Sequence, residues 1–315
     1  MDHASRPVML QDGPEDISAA ADLLRAGKLV AVPTETVYGL AARADRDESV
    51  AAIYRAKGRP SFNPLIVHVP DLASAQALAR FDERALQLAA AFWPGALTMV
   101  LPLRDGAAIA PAVTAGLPTL ALRCPAHPVM RAVIAQAGLP LAAPSANRSG
   151  GVSPTDAAHV VASLGGNVDA VIDGGACEAG LESTIVALRE DGRWQVLRPG
   201  PITEARIAAV LGTPSEPVTS HEIEAPGQLA SHYAPGKPVR LDAAQAEPDE
   251  FHIGFGAVTG DATLSATGDL AEAAARLYSL LHAGAAAPHP RIAVAPIPDS
   301  DIGTAINDRL RRAAA

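Results

Sequence analysis

The chain has 315 residues, room for one large or two ordinary domains with a full core. It is 49% hydrophobic but only 3% aromatic, so that core must be built from Ala, Val, Leu and Ile. A formal net charge of -9 argues against a broad grip on nucleic-acid backbone. Two distant cysteines, Cys124 and Cys177, with no CxxC or Cys/His cluster argue against structural zinc.

The opening "MDHASRPVML" is charged and has no apolar stretch of signal-peptide length, so a soluble, cytoplasmic protein is expected. "ISAAADLLRAG" has helical spacing and ends at Gly27, a C-cap position. "KLVAV" reads as a strand. The run it leads into, "VAVPTETVYGL", ends in hydroxyls, a carboxylate and a phenol: either a capped turn into a helix or one wall of a site. "ESVAAIYRAKG" reads as a helix and "PLIVHV" as a strand. The most apolar region, "ALQLAAAFWPGALTMVLPL", is interrupted by Pro94-Gly95 well short of a membrane span. Strands are predicted at "LTMVL", "TLALR", "LPLAA", "DAVID", "STIVAL" and "WQVL", with helices at "HPVMRAVIAQAG" and "PTDAAHVVASLG". This alternation predicts one large α/β domain, residues 1–212, with a mixed, twisted sheet flanked by helices. Residues 213–238 form a proline-rich segment, a linker or an ordered loop. From 239 to 315, "FHIGFG", "GDLAEAAARLYSLLHAG", "RIAVAPIP" and "IGTAINDRLRRAA" alternate strand and helix, a small Rossmann-like α/β domain. It has no GxGxxG, so no dinucleotide is assigned to it.

Several strands end in polar groups. In "YRAKGRPSFNPLIVHV", Lys57 and Arg59 flank a glycine where Pro60 forbids further helix. Two cations there either receive a polyanion or simply favour a helix C-terminus. Asn63 could add a hydrogen bond, and His68 on its own is expected to be a satisfied, half-buried histidine. "LPLAAPSANRSGGVSPT" ends a strand in Ser145, Asn147 and Arg148, a phosphate or nucleobase cradle or a plain polar turn. Ser145 stands outside any GxSxG elbow, so an acyl-transfer nucleophile is poorly supported. Arg123 and Arg198 each follow an apolar strand and need an anion or carbonyls, while Glu182, Ser183 and Thr184 open another. These groups could converge on one crevice. There is no GxxxxGK[ST] and no HExxH.

Taken in order, "PTETVYGL", "KGRPSFNPLIVHV", "PSANRSG" and "LRPG" resemble the threonylcarbamoyl-AMP synthase family with its YrdC-like domain. "HYAPGKP" before a small C-terminal domain resembles that family's two-domain branch. The resemblance implies that L-threonine, bicarbonate and ATP, carried by Mg2+, give threonylcarbamoyl-AMP and pyrophosphate. That product feeds a separate transferase complex that modifies an adenosine beside the anticodon of certain tRNAs. By the same resemblance Lys57 and Arg59 are the catalytic cations at the triphosphate. Arg59, Asn63, Thr119, Ala143, Ser145, Asn147, Ser153 and Arg198 bind ATP. Thr36, His68, Arg123 and Ser183 face threonine, and Thr34 and Tyr38 line the cavity. His232 and Tyr233, also at ATP, come from a linker folded back as a lid, and no protein-held metal site is implied. The alternative on the same fold is a non-catalytic RNA-binding module. The acidic charge and scarce aromatics disfavour it, and neither stable nucleic-acid binding nor membrane association is expected.

Overall fold

A computed structural model of the chain describes residues 6–219, 223–228 and 232–315. Of the expected linker, residues 220–222 and 229–231 therefore lie outside the described residues.

Ten strands build the larger sheet: β1 (Val8–Gln11), β2 (Val30–Val32), β3 (Gly39–Arg43), β4 (Ile66–His68), β5 (Leu97–Pro102), β6 (Thr119–Arg123), β7 (Leu141–Ala142), β8 (Ala170–Asp173), β9 (Thr184–Leu188) and β10 (Trp194–Arg198). Their order is β1-β8-β2-β3-β7-β4-β6-β5-β9-β10, with parallel and antiparallel neighbours, so the sheet is mixed as expected. Strand alternation separates two faces. Val67 enters the main core with Leu65, Leu120 and Leu122, whereas Ile66 and His68 face the opposite side. Parallel pairing of β4 with β6 sets His68 opposite Arg123, so the two side chains stand side by side.

Helices Asp47–Lys57, Leu72–Leu78, Glu83–Phe92 and Glu204–Leu211 cover the main core. Helices Pro14–Arg25 and Pro128–Ala137 pack a second apolar layer over β2 and β8. Two of the covering helices, at 72–78 and 83–92, go beyond the sequence reading although each has an aspartate cap. Asp71 accepts from the Ser74 amide and Asp82 from the Ala85 amide. Cys124 and Cys177 are free and buried.

The smaller domain is a parallel four-stranded sheet: β11 (Val239–Arg240), β12 (Glu250–Gly254), β13 (Ala262–Thr263) and β14 (Arg291–Val294), in the order β11-β14-β12-β13. Helices Leu270–Ala286 and Ile302–Ala313 pack on it. Its core does not stop at its own boundary. Val37, Val152 and Leu181 of the larger domain and Tyr233 of the connecting segment belong to the same buried cluster. Among the described residues no helix is long and apolar enough to cross a membrane.

Candidate active site

The polar run after β2 leads into a strand, not a helix. Thr34 Oγ1 accepts the amides of Thr36 (3.1 Å) and Val37 (3.2 Å) and donates to the Val37 carbonyl (2.7 Å). This side-chain-closed turn returns the chain antiparallel as β3. Tyr38, expected in the cavity wall, is instead a core residue. Its ring is fully buried on the other side, donating to the Gly175 carbonyl (2.8 Å) and accepting the Gly174 amide (3.2 Å).

Thr34 and Thr36 do line a chamber on the Ile66/His68 face of the sheet. Thr36 Oγ1 accepts from Arg123 Nη1 (2.9 Å), and Arg123 Nη2 lies 2.7 Å from Glu35 Oε1. Burial raises the Glu35 pKa, but the Arg123 cation and the Ala126 amide outweigh it and hold the carboxyl at about 2. Burial, reinforced by the same cation, lowers His68 to about 3, so its imidazole is neutral. Ser183 Oγ sits 2.7 Å from Thr98 Oγ1 across the β5/β9 pair.

The other end of the chamber is cationic. Helix Asp47–Lys57 stops because Gly58 turns left-handed (φ 59°), and the Arg59 amide bonds back to the Tyr54 carbonyl (3.0 Å). That turn sends Lys57 and Arg59 inward, and both are buried. Arg59 lines the chamber, held by the carbonyls of Asn63 (Nε, 3.3 Å) and Pro64 (Nη2, 2.9 Å). Arg198, re-aimed by a bulge in β10, is held by the Ser183 carbonyl (3.1 and 3.0 Å) and the Pro226 carbonyl (3.3 Å). Lys57 sits one layer behind, donating to the carbonyls of Ser145 and Asn147 at 2.5 Å each. Burial and the neighbouring Arg59 drive its pKa well below that of an ordinary lysine. Burial likewise lowers Arg59 to about 10. Among the described residues no carboxylate forms an ion pair with Lys57, Arg59 or Arg198.

Ala143 and Ser145 complete this wall, fixed by Ala143 N to the Ile66 carbonyl (3.1 Å) and by pairing of Ser145 with Gly39. Three further residues expected at ATP support the wall from behind. Asn63 contributes its carbonyl. Asn147 ties its own loop through the Arg148 and Gly151 carbonyls (2.8 Å each), and Ser153 donates to Glu182 (2.5 Å). Thr119 opens β6 opposite Pro102 and does not reach the chamber.

The connecting segment supplies the roof through Pro226, Gly227, His232 and Tyr233. A Cβ on Gly227 (φ 88°) would lie 2.8 Å from Arg198 Cδ, so only glycine lets the roof approach this closely. Tyr233 is fully buried at φ 65°, and burial lowers the pKa of His232 to about 3. With the roof in this position the cavity beneath it measures about 40 Å³. Sequence reasoning passed over Glu182 as a wall residue and missed what holds it, Tyr278 and Arg309 of the smaller domain. One signal was present: Arg309 occupies a position on the otherwise apolar stripe of Ile302, Ala305, Ile306, Leu310 and Ala313.

A roofed chamber of arginines and hydroxyls on a mixed α/β sheet defines an enclosed anion-binding site. Residues 22–200 match a family model described as "Telomere recombination", and residues 202–315 match "Threonylcarbamoyl-AMP synthase, C-terminal domain". The threonylcarbamoyl-AMP synthase of Bacillus subtilis is 40% identical over 97% of this chain and 94% of its own length. The chain belongs to the threonylcarbamoyl-AMP synthase family. Its structure is similar to that of the Pyrococcus abyssi protein Sua5 complexed with L-threonine, with a TM-score of 0.89, 34% identity and 98% of both chains covered. A variant of that protein with an adjacent His-Tyr pair changed to alanines is similar too, with a TM-score of 0.88, 32% identity, and 98% of this chain and 96% of that one covered.

Proposed function

We propose that the chamber joins L-threonine, bicarbonate and ATP into threonylcarbamoyl-AMP and pyrophosphate, the adenylate passing to a separate transferase that modifies tRNA. One observation carries the assignment of the two ends. Lys57, Arg59 and Arg198 are buried together on carbonyl oxygens and, for Arg198, the Ser183 hydroxyl (3.2 Å), with no carboxylate in an ion pair, whereas Arg123 carries its own carboxylate beside the Thr36 hydroxyl. The first arrangement has a charge deficit that a triphosphate fills. The second suits a small zwitterion whose carboxylate approaches Arg123 and whose hydroxyl and amine meet Thr36, Ser183 and neutral His68. The neighbouring threonine-bound structure supports that choice of substrate.

The chemistry needs no covalent enzyme intermediate. The threonine amine combines with bicarbonate to give a carbamate and water; a carbamate oxygen then attacks the α-phosphorus in line as pyrophosphate leaves. Catalysis is positioning and charge neutralisation. Arg59 and Arg198 face the phosphates, while Lys57 shapes the Ser145–Asn147 loop from behind and adds its field. His68, with a pKa of about 3, is too weak a base to keep the proton that threonine loses and serves as a hydrogen-bond acceptor. His232 and Tyr233 roof the site against water. The altered His-Tyr pair in the neighbouring structure points to the same segment.

Magnesium fits this chamber as the cation ATP brings with it. Glu182 in the wall and Glu35 beside Arg123 are both engaged by arginines, and no cluster of three metal-ligating side chains occurs among the described residues. Two free, buried cysteines are compatible with a cytoplasmic setting. The test is pyrophosphate release from magnesium-ATP with L-threonine and bicarbonate each added and omitted. Release requiring both is expected; release indifferent to threonine would refute the assignment.

A further inference from the structure

The smaller domain reaches into the chamber wall through a short polar chain. Glu182 lines the chamber and is buried. Its Oε1 accepts from Ser153 Oγ (2.5 Å), and its Oε2 accepts from Tyr278 OH (2.8 Å) and Arg309 Nε (2.9 Å). Tyr278 stands on helix Leu270–Ala286 and Arg309 on helix Ile302–Ala313, both of the smaller domain. Arg309 also donates to the Pro199 carbonyl (2.9 Å), next to the phosphate-facing Arg198, and is itself held by Asp308 (2.6 Å).

The same two residues hold the roof. The Tyr233 ring stacks on Tyr278 at 5.6 Å and 26°, and the Arg309 guanidinium lies 5.3 Å from its centroid. The His232 ring meets Tyr233 edge-on at 4.0 Å, and the His232 amide bonds to the Arg312 carbonyl (3.2 Å) on the Arg309 helix. The Ala234 amide then ties the segment to the Gly150 carbonyl (2.8 Å), so roof and Ser153 loop meet at one point.

We infer that Tyr278 and Arg309 are positioning residues for the nucleotide end of the chamber, acting through Glu182 on Ser153 and through ring contacts on Tyr233. The chamber is therefore complete only when the smaller domain is docked. The inference rests on the functional reading above for its substrate, but its structural part can be tested separately.

The experiment uses the full chain with Tyr278→Phe, which keeps the ring and removes only the hydroxyl on Glu182, and Arg309→Lys, which keeps the charge and loses the fork. In Tyr278→Phe, kcat/KM for ATP should fall about tenfold, the KM for threonine should stay within about twofold, and Tm should move by no more than a few degrees. Arg309→Lys should lower the same ATP parameter further. Combining Tyr278→Phe with Ser153→Ala should give less than the product of the single effects, since both act through Glu182. Hydrogen exchange gives a readout that needs no turnover. Protection at residues 150–153 and 232–234 should drop in Tyr278→Phe while the central strands are unchanged. Unaltered exchange at those residues would overturn the inference whatever the enzyme makes. An equal rise of both KM values alongside a large fall in Tm would also overturn it, marking a purely structural role. If wild-type pyrophosphate release ignores threonine, the functional reading fails, and the exchange result alone decides the positioning role. If Arg309→Lys does not fold, Tyr278→Phe carries the test.

Discussion

The two ends of the chamber use arginine in opposite ways. At the end proposed for threonine Arg123 is paired with Glu35, and the pair is nearly neutral before any ligand arrives. At the end proposed for the phosphates Arg59, Arg198 and, behind them, Lys57 rest on carbonyl dipoles, and the nearby carboxylate of Glu182 is already engaged by Arg309. A neutralised guanidinium is a rigid fork that orients a small carboxylate without adding net field. Cations buried without a counter-charge raise the energy of the empty protein, and a polyanion offsets that cost on binding. The first end is built for geometry and the second for charge.

Removing a cation from each end is the sharpest test. Arg59→Met should cut pyrophosphate release by about a hundredfold to a thousandfold, with Tm unchanged or raised, because a desolvated, carboxylate-free cation is lost. Near-normal release by this variant would end the charge argument. Arg123→Met should also abolish turnover, but it strands the largely buried Glu35 carboxylate and should cost about 3 kcal/mol of stability by denaturant titration. If both variants shift stability alike, the contrast between the ends is wrong.

Acid should act next in size. His68 and His232, lowered to about 3, stay neutral in the folded chain while the unfolded chain takes up protons below about pH 6.5. Their contribution is therefore complete above about pH 6.5 and is lost as pH falls towards 3. By pH 5 the loss is about 2 kcal/mol per histidine. Glu35 and Glu182, held at about 2, add a further loss as pH falls from about 4.5 towards 2. A melting temperature flat between pH 7 and 5 would contradict this burial of imidazoles. The smallest effect expected is ligand stabilisation: tripolyphosphate alone should raise the wild-type Tm by a few degrees and leave Arg59→Met unmoved.

How much of this was visible in the sequence depends on how local each cause is. The stop at Gly58-Arg59-Pro60 was readable because a left-handed glycine and a proline act within one turn. The strands carrying His68, Arg123 and Arg198 were readable from their apolar runs. β3, "GLAAR", was not, since alanine and glycine carry no strand preference; its pairing with β2 and β7 decides it. Tyr38 was placed at the cavity by resemblance; the turn between the interior strands β2 and β3 instead directs its ring into the main core. Arg309 and Tyr278 stand 127 and 96 positions from Glu182, a contact that exists only after the two domains dock.

Tyr233 is one of four non-glycine residues described with positive φ, and it sits in the roof itself. For a bulky residue that backbone state costs roughly 1–2 kcal/mol, about a tenfold bias in an equilibrium. The ring contacts of Tyr233 with Tyr278 and Arg309 offset that cost, so the backbone of the roof is latched by a catch that lies in the other domain.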